Sequence, residues 1–561
     1  MKKFIASALV LIMLFAMSVP CMALVEPVEN IPIISIRGDG NDIYDASGEN
    51  IVWPVSLGDE EGDKDQLIDS VIDVIFPHLV TGLLTGNYEG YYDAFYEAVL
   101  PLFDDAVLDC NGEASNGTQI DPQKKQDNIN EIQNRWDKKY WHSSGLYETG
   151  DYTFVYDWRL SPLETVAQFK QYIKDVMRIT GAKKVNIHGV CLGGTVVTAL
   201  LDSYNEELAN GAEPYIKNVM FDASVANDCL IFTDAFRGKL DLDPDGLQRF
   251  LDEFVDADEN TFGALSETLP FLNELVFTTY DMLRETGVAG QVFDSVEEFY
   301  EVIYEGLVPK LAIAGYATFP GYWASIDADY YEEARDFVFA DPEMRQEYAG
   351  LIAKLDAYYN QVSSRTEEIV LTAVQNGVHI GNIAKYGTHP MPFIERQNEV
   401  SDRLVSVSAA TFGATCSTTR GQLSQSYIDE RVALGYGDYI SADKKVDLST
   451  SLFKDTTWVI KNCSHDHWSH EENLINIFFR STGMTTLNDD TYPRFMVCDS
   501  RSNDDPPILY EMTEEKSGED MWEDTPVETE DSTIWTKLAA FFRWLTALFR
   551  TFTHFLTNPA E

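Results

Sequence analysis

The segment Gly189-Val190-Cys191-Leu192-Gly193-Gly194 places a thiol between glycines, where one hydropathy pattern gives way to another. Val185 to Ile187 is a short apolar β-run, and Thr195 onward reads as a helix. A G-x-C-x-G turn from strand to helix forces its central residue into a strained backbone conformation, and small neighbours let strand and helix approach. The side chain is then presented at a helix N-terminus, whose partial positive charge favours a thiolate. The N–H of Leu192 would point at the oxyanion that develops when sulfur attacks a carbonyl. Cys191 is therefore the candidate nucleophile. The alternative is a buried structural cysteine in a glycine-rich turn.

Such a nucleophile needs a base, and a carboxylate to orient that base. The chain has nine histidines. Trp458 to Lys461 reads as the last strand and Leu474 to Phe479 as part of the last helix, with Ser464-His465-Asp466-His467-Trp468-Ser469-His470 between them. A base just past the strand end makes His465 the first choice and His467 the second. Metal binding by this cluster would lack supporting cysteines at ligand spacing. Asp241-Leu-Asp243-Pro-Asp245-Gly246 mimics the start of a calcium loop, but the twelfth position is Asp252 rather than Glu. The expectation is no metal and no cofactor.

The elements that would hold these residues alternate strand-like and helical runs over residues 24–502, the pattern of an α/β domain. Thr153 to Trp158, the amphipathic stretch Pro162 to Thr180, the run at Val185 and the turn at Cys191 give strand, helix, strand, elbow and helix. That is the order expected in an α/β-hydrolase fold. Two helical insertions interrupt it, at about 66–135 and about 226–376. The second contains the apolar cluster Phe319-Pro-Gly-Tyr-Trp323. Both are expected as caps over an acyl-binding cleft.

The chain ends differ in texture. Residues 1–23 read as a secretory signal, with Lys2 and Lys3, an apolar run from Phe4 to Ala16, and small residues at Cys21 and Ala23. The protein is therefore expected to be secreted or at the cell surface. Six cysteines follow the leader, an even count that could mean three disulfides. A nucleophilic Cys191 would leave at least one further thiol free. Residues 503–531 carry 12 acidic residues against Lys516 alone and read as a linker. Residues 532–561 turn aromatic and mildly basic, with Arg543, Arg550 and His554 on one stripe of an amphipathic helix. Such a helix suits peripheral membrane contact, and equally suits docking on its own domain. The formal charge of −51 argues against a nucleic-acid partner, because phosphate binding needs clustered Lys and Arg.

Tyr156-Asp157-Trp158-Arg159-Leu160-Ser161-Pro162 resembles a block of the lecithin:cholesterol acyltransferase-like lipases. So do Pro32 to Gly40, Ile43-Tyr44-Asp45 and Val52-Trp53-Pro54. The chain departs from that family in having Cys191 for serine and Arg37-Gly38 in the loop after the first strand. The elbow string itself is similar to that of polyhydroxyalkanoate synthases, which use cysteine there. The resemblance implies an oxyanion loop at Gly38 and Asp39, acting with Leu192. It also implies the order nucleophile, acid, histidine. Ser401-Asp402-Arg403-Leu404-Val405 resembles the acid-bearing block of secreted lipases, and Ala442-Asp443-Lys444-Lys445-Val446 is a rival, so Asp402 is expected as the acid with Asp443 as the alternative. The function so implied is hydrolysis or acyl transfer on lipid or other carboxylic esters through a thioester acyl-enzyme. The alternatives are a catalytically inactive lipid-binding homologue and an enzyme of ester polymers.

Overall fold

The computed structural model describes residues 31–38, 42–53, 71, 74–82, 84–103, 106–121, 152–239, 316–388, 394–463, 465, 471–488, 491–498 and 509–517. The leader, Asp39, His467, the calcium-like loop and residues 532–561 lie outside them.

Among the described residues, eight strands form the central sheet. In chain order they are β1 (Ile33–Ile36), β2 (Tyr152–Phe154), β3 (Val185–Val190), β4 (Ile216–Asp222), β5 (His379–Tyr386), β6 (Thr457–Lys461), β7 (Phe495–Cys498) and β8 (Leu509–Glu511). Their spatial order is β8-β7-β6-β5-β4-β3-β1-β2. All neighbours are parallel except β7 and β8. Helices cover the sheet, and β1, β3 and β6 are buried along their whole length. Continuous apolar runs with few polar breaks are what a strand buried on both faces requires. From β3 the chain winds one way across the sheet, while β1 and β2 lie on the other side. The junction of β1 and β3 is thus a topological switch point, where loops at the carboxyl ends diverge and leave a crevice.

Three helices brace the switch point. Helix α1 (Pro162–Thr180) starts at Ser161, whose hydroxyl accepts from the Leu163 N–H, with Pro162 in its first turn. It ends at Gly181 in the left-handed region. Its apolar stripe, Val166, Phe169, Ile173 and Val176, faces the core. Helix α2 (Gly193–Ala209) is buried over most of its length and packs against α1 and α3 (Thr366–Gln375). Arg159 is fully buried. It pairs with Asp157 at 2.7 Å and donates to the Ala106 carbonyl at 2.7 Å, tying the loop before α1 to the chain near residue 106.

The structure departs from two expectations. Trp458 to Lys461 belongs to β6 and is not the last strand, because β7 and β8 extend the sheet beyond it. Strand β8 lies inside the stretch expected as an acidic linker; its backbone pairs with β7, and pairing does not depend on side-chain hydropathy. Phe319 to Trp323, within the expected insertion at 226–376, is buried in interior packing. Tyr322 stacks on Phe232 at 4.1 Å and on Trp158 at 5.2 Å, and Phe319 meets Trp53 edge-on at 6.0 Å. A Cβ on Gly321 would lie 1.9 Å from the Trp158 carbonyl oxygen, so only glycine fits there. Helix α3, also within the expected insertion at 226–376, packs on α2. Residues 240–315 of that insertion are outside the described residues. No described helix is long and apolar enough to cross a membrane.

Candidate active site

Cys191 follows β3 directly and has φ 52°, a left-handed value that L-residues adopt at a cost. Its N–H donates to the Asp222 carbonyl at 3.1 Å, and its own carbonyl accepts from the N–H groups of Gly194 and Val225. The turn is therefore held from both sides. Each glycine around it has a distinct steric reason. A Cβ on Gly193 would lie 2.2 Å from the Ile36 carbonyl oxygen, one on Gly194 1.8 Å from Ser224 Oγ, and one on Gly189 2.8 Å from Val197 Cγ2. Glycine thus lets β1, β3, α2 and the loop after β4 meet at one point.

Gly38, just past β1, lies beside the same turn. A Cβ there would sit 3.3 Å from Cys191 Sγ and 3.3 Å from the Leu192 backbone nitrogen. The space in front of both sulfur and amide is therefore bordered by a residue without a side chain. Arg37, its neighbour, is exposed.

His465 comes from the loop after β6 and is buried. Its Nδ1 lies 2.9 Å from Asp402 Oδ2, and its ring is close enough to Cys191 to interact with it electrostatically. With Nδ1 committed to the carboxylate, Nε2 is the nitrogen left for sulfur. Burial opposes a charge on the ring. The Asp402 carboxylate and Cys191 outweigh it and hold the imidazolium well above the ordinary histidine range.

Asp402 is 1% exposed. Its second oxygen, Oδ1, accepts from the N–H groups of Leu404 at 3.1 Å and Val405 at 2.8 Å. Arg403 in this turn has φ 88°, in the left-handed region that favours glycine. Asp443, the alternative acid, is engaged elsewhere. It accepts from the Tyr386 hydroxyl at 2.8 Å and Ser441 Oγ at 2.7 Å, and pairs with Lys461 at 3.2 Å. The structure thus brings together Cys191, His465, Asp402, Leu192 and Gly38, and leaves Asp443 apart. His467 and Asp39 lie outside the described residues.

A second buried polar layer lies beneath this site. The Lys385 ammonium on β5 pairs with Glu471 at 2.6 Å, lies 4.0 Å from Asp222, and donates to the His465 carbonyl at 3.5 Å. Asp222 also bonds His188 Nε2 at 3.0 Å, and His188 Nδ1 lies 3.4 Å from Ser35 Oγ. Burial disfavours a charged Asp222, yet Lys385 and His188 hold it below the usual carboxylate range. Burial pushes Glu471 up to about 7 against the pull of Lys385. Two carboxyl groups thus face one ammonium, and Glu471 is the more readily protonated of the two. Lys385 contacts the start of the His465 loop and its end at Glu471. The sequence signal for it was a lysine in the otherwise uncharged run Ile380 to Tyr386.

Chemically, the arrangement offers a strained thiol at a helix N-terminus, a base near it, an acid orienting the base, and an amide beside the sulfur. No group of His, Cys, Asp and Glu among the described residues is arranged to hold a metal ion. Comparison of the chain with family models, with curated proteins and with solved structures finds no match.

Proposed function

We propose that the protein is an exported enzyme of the α/β-hydrolase type that cleaves or transfers acyl groups of lipid carboxylic esters through Cys191, His465 and Asp402. The observation that carries this reading is the bond of His465 to Asp402 and its electrostatic proximity to Cys191, at the carboxyl ends of parallel strands and beside the switch point. The lipid class rests on the motif resemblance at residues 32–54 and 156–162. Export rests on residues 1–23.

In this mechanism His465 holds the proton and the Cys191 sulfur attacks the ester carbonyl as the anion. The C=O electron pair moves to oxygen, which the Leu192 N–H stabilises together with backbone near Gly38. Collapse reforms the carbonyl and breaks the C–O bond. His465 gives its proton to the departing alcohol, leaving a Cys191 thioester. Water or a second alcohol then attacks, with neutral His465 taking its proton. The second collapse frees acid or new ester and restores the ion pair. Asp402 fixes the ring throughout.

Turnover of p-nitrophenyl esters of increasing chain length tests the proposal. Cys191→Ala is expected to lose turnover entirely, and mass spectrometry of a quenched reaction should find the acyl group on the peptide bearing Cys191. Full turnover by Cys191→Ala would overturn the assignment. Activity confined to short water-soluble esters would remove the lipid part alone.

A further inference from the structure

Strands β6 and β7 are parallel neighbours, with Lys461 opposite Val497. Continuing that register sets Asn462 opposite Cys498, the last residue of β7. Asn462 has φ 57°, and its N–H donates to the Tyr386 carbonyl at 2.6 Å. A left-handed residue at that point turns the chain out of the strand, so the next side chain does not continue the alternation. The next side chain is Cys463. Its thiol lies within hydrogen-bonding reach of the Cys498 thiol. Both residues are 2% exposed and share an apolar cluster with Ile383, Trp458, Leu474 and Met496. The Lys385 ammonium, which also holds the His465 carbonyl, is close to Cys463. Two sulfurs that the proposed chemistry does not use therefore meet two residues ahead of His465.

We propose that Cys463 and Cys498 are a dithiol–disulfide pair, closed by an external low-molecular-weight disulfide, and that closure fastens the start of the His465 loop to β7. One thiolate attacks a sulfur of the external disulfide, expels one thiol and forms a mixed disulfide. The second thiolate attacks the protein sulfur of that mixed disulfide, forms the Cys463–Cys498 bond and expels the second thiol. The protein loses two S–H bonds and gains one S–S bond, and the external disulfide is reduced to two thiols. Burial restrains exchange in the folded state, so the bond forms during folding or local opening. It closes a loop of about 35 residues, which removes freedom from the unfolded chain.

The full chain, reduced and unfolded, is refolded over a series of reduced-to-oxidised glutathione ratios, quenched with N-ethylmaleimide and digested without reduction. The expected product is a linked peptide joining Cys463 to Cys498, lighter by two hydrogens than the two free peptides together. It should accumulate in oxidising mixtures and vanish in Cys498→Ala. The oxidised form should melt a few degrees above the reduced form. Alkylation of both Cys463 and Cys498 at every ratio overturns the proposal, as does linkage of Cys463 to any other cysteine. The wild-type peptide map decides the pairing even where a variant fails to fold. It is independent of ester turnover, so its outcome stands whichever way the Cys191 experiment falls.

Discussion

His465 and Asp402 stand 63 residues apart in sequence and 2.9 Å apart in the interior, through Nδ1 and Oδ2. The carboxylate is itself held by two backbone N–H groups from its own turn, so it fixes the ring from a rigid base. An amide at this position could present N–H instead of oxygen and stabilise the wrong imidazole tautomer. Asp402→Asn is therefore expected to lower kcat for a p-nitrophenyl ester by roughly three to four orders of magnitude, with little change in KM or Tm. Asp443→Asn should act the other way. It leaves kcat within about tenfold, since the residue does not meet His465, and lowers Tm by loosening Tyr386, Ser441 and Lys461. Equal kcat losses in the two variants would sink the distinction.

Gly38 tests the oxyanion geometry. A methyl group there would lie 3.3 Å from both Cys191 Sγ and the Leu192 nitrogen, inside the space the charged oxygen would occupy. Gly38→Ala should reduce kcat by about 10²–10³, while iodoacetamide still alkylates Cys191 and Tm stays close to wild type. An unchanged kcat would place the oxyanion elsewhere.

What could be read in the chain was whatever local sterics dictate. The elbow was legible because strand, glycines and helix are consecutive, and each glycine answers a contact within that unit, with the end of β1 or with the loop after β4. Helix α1 was legible at both ends because Ser161, Pro162 and Gly181 are local cap signals. The choice between Asp402 and Asp443 was not local. Both lie in polar turns followed by a residue of positive φ, Arg403 and Lys444, and only the distance to His465 separates them. Lys385 was opaque for the same reason, since Glu471 and Asp222 reach it from distant parts of the chain. Strand β8 was hidden because an edge strand inside an acidic stretch needs only backbone pairing. The partners of the Phe319–Trp323 cluster were not legible because Trp53, Trp158 and Phe232 come from three other segments.

Lys444 and Cys191 both hold left-handed backbone, at φ 62° and φ 52°, but only Cys191 bears chemistry in the proposed mechanism. The left-handed region costs a non-glycine residue about 1–2 kcal/mol. Glycine gives back about 0.5–1 kcal/mol through its freer unfolded chain. Lys444→Gly is therefore expected to stabilise the fold by about 0.5 kcal/mol, read as a higher urea midpoint at unchanged m-value, with kcat unaffected. A lower midpoint would mean that the Lys444 side chain contributes more than its backbone costs.

The buried layer beneath His465 sets a pH dependence of stability. Glu471 titrates near 7 in the folded protein against 4.5 as its ordinary value, because burial outweighs the Lys385 ammonium beside it. Between those two values the folded state binds more protons than the unfolded one, so unfolding free energy falls as pH rises. Below about pH 4.5 both states carry the proton and the contribution is fully present; above about pH 7 neither does and it is gone. The span corresponds to up to about 3 kcal/mol. Glu471→Gln removes the titration while keeping a neutral side chain of the same shape against Lys385. Urea midpoints measured from pH 4.5 to 8 should therefore decline through this window in wild type and decline less in Glu471→Gln. The two curves should be closest at the acid end, where Glu471 is itself neutral. Parallel curves would show that Lys385 keeps Glu471 ionised, and that Asp222 alone does not satisfy the ammonium.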